Sequence, residues 1–282
     1  MYLCNLFKNG DVKMSKIIAV FGATGNQGGS VLRSLVKRDC YHLKAVTRNI
    51  KSQKAKELSG LKNVTLAEAD LDNKESVDFA LKDCYVFSGL ENVESQINEP
   101  CLHFDYKAAI EDYGIKQKDK IHFTSVRMPM FYQEVIGTVF NKAFGNRFLL
   151  NIPMDREKKI YLMNVDDLGN CVASVFDDPE QYKSQIIGLC GDYMKIQDLI
   201  LLLNQELSPL KVYFPGGSFN RFLFKNILKF PGANDIRVMF DYYNRQIMKR
   251  DADMTKNLNP DVVNFATWLK KNRTQIISNK TV

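Results

Sequence analysis

The sequence predicts an α/β fold built on a doubly wound parallel sheet, with a small α+β lobe toward the C-terminus. Three observations carry the prediction. Segments 16 to 81 alternate between short apolar runs and stretches with helical spacing. A cluster of glycines separates the first such pair, and the chain is long enough, at 282 residues, for one large domain or a domain with a smaller lobe.

The first pair is "KIIAVFGATGNQGGSVLRSLVKR". The apolar run Ile17 to Phe21 reads as a strand, and Val31, Leu32, Leu35 and Val36 recur at helical spacing. Between them Gly22, Gly25 and Gly28 form G-x-x-G-x-x-G, a variant of the dinucleotide fingerprint. Gly22 would permit the tight turn, Gly25 the approach of a pyrophosphate, and Gly28 the close packing of helix on strand. Free N–H groups at the helix start would face the phosphates. The march continues with "HLKAVTR" as a strand, "KSQKAKEL" as a helix, "NVTLAEAD" as a strand and "NKESVDFAL" as a helix, the order of a Rossmann-type sheet.

Cofactor choice follows from the end of the second strand. An acidic residue there would hold a ribose 2′-hydroxyl, but this chain has Arg48, with Lys51 just beyond. A guanidinium binds a 2′-phosphate bidentately, so NADP(H) is the expected cofactor.

The second half is less regular. "NVDDLGNCVASVFDDP" predicts a helix with Asp166 or Asp167 near its N-cap, and "QIIGLCGDYMKIQDLILLLNQEL" a strand then a helix starting near Asp192 or Lys195. "KVYFPGG" suggests a short strand and turn. Phe219, Phe222, Phe224, Phe230, Phe240, Tyr242 and Tyr243 crowd one stretch, as a small core or a partner-binding patch would require. Pro260 suits the first turn of a last helix anchored by Phe265, Trp268 and Leu269.

Composition excludes other classes. The longest apolar run, "LILLL", is far below the roughly 20 residues of a membrane span. The N-terminus lacks a secretory pattern, and Met14 is the expected start of the fold after an extension over 1–14. The Rossmann domain is expected over 15–150 and the remaining sheet elements and lobe over 151–282. Cysteines at 4, 40, 84, 101, 171 and 190 show no ligand spacing beside three histidines, so no metal is expected and a reducing compartment is. The charge of +7 is spread along the chain with no recognition motif, which argues against direct nucleic-acid binding. No G-x-S-x-G marks a hydrolase.

The segments "VFGATGNQGGSV", "AVTRN", "FSGLENV", "HFDYK", "TSVRMPMFY", "VDDLG" and "KFPGANDIRVMF" resemble the NmrA-like family, atypical members of the short-chain dehydrogenase superfamily, over nearly the whole chain. The resemblance implies an NADP-binding Rossmann domain and a regulatory role, reporting the NADPH/NADP balance through a protein partner. A homodimer, and a cytoplasmic location with some nuclear presence, are compatible with it. It carries pyrophosphate contacts onto Gly22, Ala23, Thr24, Gly25, Asn26 and Gln27, a 2′-phosphate contact onto Arg48, and adenine contacts onto Asp70 and Leu71. Lys107 would lie beside the nicotinamide ribose, and Phe131, Tyr132, Gln133 and Glu134 would close over the nicotinamide.

Two departures stand out. "LKDCYVFSGLENV" runs from the third helix straight into the strand ending in "SGLEN", as though one β-α unit of roughly 35 residues were cut out at Tyr85 and Val86. Strand Tyr85 to Ser88 would then take the slot beside the first strand, or the slot would stay open. Reductases of the short-chain dehydrogenase superfamily usually depend on Tyr-x-x-x-Lys, yet none of the twelve tyrosines here has a lysine four residues on, and His103 stands four ahead of Lys107. The lysine cation would disfavour a charged imidazole, so His103 reads as a polar residue at a pocket edge. No residue is assigned to catalysis; Lys107 and His103 are weak candidates, and Ser88 reads as a strand-end hydrogen bond. The expected function is therefore a cofactor-reading regulator. The alternatives are an NADP-dependent reductase of the isoflavone or quinone type and a cofactor-free protein scaffold.

Overall fold

The computed structural model describes residues 2–5, 16–69, 84–227 and 232–281. The predicted third helix, Asp70, Leu71 and Phe230 lie outside them. The strands in chain order are β1 (Tyr2–Asn5), β2 (Lys16–Phe21), β3 (Tyr41–Thr47), β4 (Val64–Glu68), β5 (Cys84–Gly89), β6 (His122–Arg127), β7 (Met130–Phe131), β8 (Phe140–Phe144), β9 (Arg147–Leu150), β10 (Lys159–Met163), β11 (Ile186–Gly188), β12 (Asp192–Lys195) and β13 (Lys211–Tyr213). The longer or regular helices are α1 (Asn26–Arg38), α2 (Gln53–Ser59), α3 (Val93–Ile97), α4 (Leu102–Lys116), α5 (Val165–Asp177), α6 (Pro179–Tyr182), α7 (Ile196–Glu206), α8 (Gly217–Asn226), α9 (Ala233–Asn244), α10 (Ala252–Leu258) and α11 (Phe265–Thr281), and after β7 a single helical turn, Tyr132–Glu134, runs into a π-helical turn, Val135–Val139.

The main sheet has seven strands in the order β11-β6-β5-β1-β2-β3-β4. All neighbours are parallel except at β1, which runs antiparallel to both β2 and β5. This corrects the expectation for the shortened junction. Strand β5 does not move beside β2, and the slot does not stay open; Tyr2–Asn5 fills it, pairing Tyr2 with Val20 on one side and with Val86 on the other. The segment expected to be an extension ahead of the fold therefore contributes a central strand. A strand from anywhere in the chain can satisfy the exposed N–H and C=O groups of two neighbours, and direction matters less than pairing.

Both faces of β2 are covered, which is why its sequence is continuously apolar rather than alternating. Ile18 and Val20 pack toward α1 and α5 with Val31, Leu32, Leu168 and Val172, while Ala19 and Phe21 pack with Val46 on the other face. Helices α1 and α5 touch closely, because Gly169 offers no side chain where a Cβ would come within 2.3 Å of the Ser30 carbonyl oxygen. The N-cap of α5 is Asn164, whose side chain accepts from Asp166 N at 3.3 Å, rather than Asp166 or Asp167.

The C-terminal lobe has its own core of Tyr132, Phe140, Phe148, Leu162, Phe240, Phe265 and Trp268. Tyr242 and Tyr243 are buried as a core reading requires, whereas Phe219 and Phe222 are half exposed. Helix α11 begins at Phe265, with Asn264 Oδ1 accepting from Thr267 N at 2.8 Å, so Pro260 precedes the helix instead of opening it. Among the described residues no helix is long and apolar enough to cross a membrane.

Candidate functional site

The site lies at the carboxyl edge of the sheet, where β2 gives way to the glycine turn. Gly22 sits at φ +65°, a left-handed conformation that side chains resist. Gly25 N donates to Gly22 O at 2.9 Å and closes the turn. A Cβ on Gly28 would lie 2.2 Å from the Gly22 carbonyl oxygen and 2.6 Å from its carbon, both backbone atoms that cannot swing aside. Gly28→Ala is therefore expected to cost about 1–3 kcal/mol and to open the turn. Gly137→Ala, where a Cβ meets nothing within 4 Å, should leave the urea midpoint nearly unchanged.

Helix α1 starts at Asn26 with no side chain capping it, so its first N–H groups are free to meet an anion. A cleft of about 350 Å³ opens there, lined by Ala23, Thr24, Gly25, Asn26 and Gln133 among others. Ala23 N donates to Val46 O at 3.2 Å, which ties the glycine turn to the end of β3, two residues before Arg48. Arg48 is exposed and has no ion-pair partner among the described residues. This arrangement, a Cβ-free turn beside an uncapped helix with an unpaired guanidinium at the next strand end, fits a phosphorylated dinucleotide.

A second and larger cavity, about 630 Å³, lies between the sheet edge and the C-terminal lobe. Gln27 from the glycine turn, Ser88 from β5, and His103 and Lys107 from α4 stand in its wall. Lys107 Nζ donates to Ser88 Oγ at 3.3 Å, and Ser88 Oγ donates to Gln27 Oε1 at 2.9 Å. Ser88 thus does more than finish a strand: it links the glycine turn to the lysine. Burial pulls the Lys107 ammonium below its ordinary pKa, opposed by the Glu134 carboxylate. Burial likewise pushes the Glu134 carboxyl up, opposed by the Phe131 N–H, His103 and Lys107.

The four residues expected over the nicotinamide separate in space. Phe131 and Glu134 line the large cavity, and Gln133 lines the smaller cleft while its amide donates to Asn164 Oδ1 at 2.7 Å. Tyr132 lines neither among the described pockets. Its ring is fully buried against Phe265 and Trp268, and its hydroxyl donates to the Asp192 carboxylate and lies 3.1 Å from Val263 O. The expectation that Tyr132 closes over the cofactor is corrected, because consecutive residues of this helical turn point in different directions and Tyr132 takes the one facing the lobe core.

His103 also differs from its reading as a bare pocket-edge residue. Its Nδ1 is in contact with the carboxylate of Asp235, in the first turn of α9. Nothing in the sequence pairs two residues 132 positions apart, so only the docking of α9 on α4 reveals the contact.

The NmrA-like family model matches residues 14–97 and 84–269. The chain belongs to the NmrA-like family. The two matched stretches overlap over residues 84–97, which include the junction at Tyr85 and Val86. Among relatives, the NmrA-like family domain-containing oxidoreductase hkm9 of Aspergillus hancockii is 51% identical, over 80% of this chain and 82% of its own length. The NmrA-like family domain-containing oxidoreductase FrzB of a Cladobotryum species is 56% identical, over 81% and 84%. Among solved structures, NmrA, a negative transcriptional regulator crystallised with NADP, superposes with a TM-score of 0.76 at 14% identity, over 94% of this chain and 97% of that one. The NADPH-dependent quinone oxidoreductase QOR2 of Escherichia coli, complexed with NADPH, gives 0.71 at 17% identity, over 90% and 99%. At such identities this NmrA-like chain shares their fold.

Proposed function

We propose that this NmrA-like protein binds NADP(H) and reduces a bulky apolar carbonyl or quinone compound. The observation that carries the reading is the large cavity, which opens beside the glycine turn and places Lys107, Ser88 and His103 against a wall of Phe104, Met128, Phe131, Leu149, Met239 and Phe240. Apolar walls with a few convergent polar groups are the usual form of a small-molecule site. The oxidoreductase names of the 51% and 56% identical relatives support the same reading.

The turn from Gly22 to Gln27 and the start of α1 would hold the pyrophosphate, and Arg48 the 2′-phosphate. When bound, the reduced dinucleotide supplies a hydride. Lys107 would hold the ribose hydroxyls, and its hydrogen bond through Ser88 to Gln27 keeps the ammonium at the cofactor end of the cavity. The apolar walls keep water from the reacting carbonyl.

A regulator that reads the NADPH/NADP balance through a protein partner is the second reading. It is favoured by the absence of any tyrosine four residues ahead of a lysine, and by the fold shared with a negative transcriptional regulator. NADPH consumption with a panel of quinones and aldehydes separates the two. Turnover that falls about 100-fold in Lys107→Ala supports the reductase, and no turnover with any of them supports the regulator. Calorimetry with NADPH, NADP and NAD tests the cofactor directly. Arg48→Glu is expected to reduce the preference for the phosphorylated forms by about 10- to 100-fold, and no heat with any dinucleotide would leave the scaffold reading.

A further inference from the structure

The geometry points to His103 and Asp235 as an acid–base pair, with His103 the proton donor to the substrate oxygen and Asp235 its positioning residue. The inference rests on the reductase reading and adds the group that reading lacks. His103 stands in the first turn of α4 and Asp235 in the first turn of α9, so the pair joins the two helices, and His103 lines the large cavity.

The carboxylate of Asp235 is fixed from several sides. It accepts from the Leu102 backbone N–H and, at 3.4 Å, from His103 N, and its Oδ2 meets His103 Nδ1. An Nδ1–H donated to this carboxylate leaves Nε2 as the reactive nitrogen, which has no hydrogen-bond partner among the described residues. The ring edge packs on Phe104 at a centroid distance of 4.8 Å, which limits its rotation. Its side chain is 43% exposed, so solvent can return a proton to it.

The charged and titratable neighbours come from each packed element. Lys107 lies one turn along α4, Glu134 faces it from the turn after β7, and Cys101 Sγ lies 3.7 Å from Nδ1. Burial and the nearby Asp235 carboxylate push the Cys101 thiol up, so it stays protonated and does not compete as an anion.

The step balances without a further reagent. The hydride from the reduced dinucleotide forms a C–H bond at the carbonyl carbon, and the C=O π pair moves to oxygen. That oxygen takes the proton from Nε2 of the doubly protonated imidazolium as the Nε2–H bond breaks, which leaves the neutral ring in its Nδ1–H form on Asp235, and solvent returns a proton to Nε2. The substrate gains one hydride and one proton, and the dinucleotide is oxidised.

Two measurements test the pair. In the protein without cofactor, ¹H–¹⁵N correlation of the imidazoles, simple with three histidines, should give the neutral form of His103, the form left once Nε2 has given up its proton, as the Nδ1–H tautomer and lose it in Asp235→Asn. An Nε2–H tautomer, or no change in Asp235→Asn, overturns the proposal. So does a thiolate-to-metal charge-transfer band on adding Co²⁺ that vanishes in Cys101→Ser, because Sγ, Nδ1 and the Asp235 carboxylate lie within 4.8 Å of one another and Nδ1 would then be a metal ligand. In turnover, His103→Gln should lower kcat about 100-fold while the NADPH dissociation constant stays within about twofold. Active wild type with equally active His103→Gln ends this proposal alone. An inert wild type that still binds NADPH ends the reductase reading, and the pair's catalytic role with it.

Discussion

Leu3→Pro, or removal of residues 1 to 13, is expected to leave little folded protein, or to lower the melting temperature by more than about 10 °C. Strand β1 lies between β2 and β5 and pairs residues with both, Tyr2 to Asn5 against Val20 to Ile17 and Tyr2 to Cys4 against Val86 to Cys84. Proline at position 3 removes a ladder donor in the middle of a sheet, where such residues are not found. Without β1 the inner edges of β2 and β5 lose their partners together.

The sheet could recover only by drawing β5 toward β2 by one strand spacing, about 4.8 Å. Ser88 rides on β5, so that movement would break its 2.9 Å hydrogen bond to Gln27 and shift Lys107 with it. Circular dichroism melts of Leu3→Pro beside the conservative Leu3→Ile check the stability effect. A proline variant melting within about 2 °C of Leu3→Ile would show that β1 is dispensable.

Arg250→Met should destabilise the protein by about 3–5 kcal/mol in urea denaturation. The side chain of Arg250 is fully buried and donates through Nη2 to Glu91 Oε2 at 3.2 Å and to Met128 O at 3.2 Å. Glu91 is itself buried and lies 3.7 Å from Arg127 Nη1, and Arg127 Nε donates to the buried Glu111 at 3.1 Å. These four charges run from α4 through the ends of β5 and β6 to the segment before α10. Removing Arg250 strands the Glu91 charge away from water. Removing both, in Glu91→Gln/Arg250→Met, should recover a measurable part of the loss, a non-additivity that independent sites would not give.

Some of this was readable directly. The glycine turn is a local problem, since the left-handed φ of Gly22 and the contact between Gly28 and the Gly22 carbonyl involve residues six positions apart at most. The strands beginning at Lys16, Tyr41 and Val64 were likewise legible, the first as the continuous apolar run that burial on both faces allows, the other two as short stretches of apolar and β-branched residues between helical segments. Helix boundaries were less so. Asn164 rather than an aspartate caps α5, and Pro260 precedes α11 by five residues, since several polar residues can cap a helix and the packing of Phe265 and Trp268 decides where the last one begins.

By itself, then, the sequence determined the order of strands and helices around the glycine turn, the place of Arg48 at the end of β3, and the absence of a tyrosine four residues ahead of any lysine. The tertiary structure alone decided that β1 occupies the central slot, that Tyr132 faces the lobe core, and that Asp235 meets His103. The physical reason is range. Periodicity and turn chemistry act within a few residues, whereas strand pairing and helix docking join segments whose separation in the chain leaves no local pattern to read.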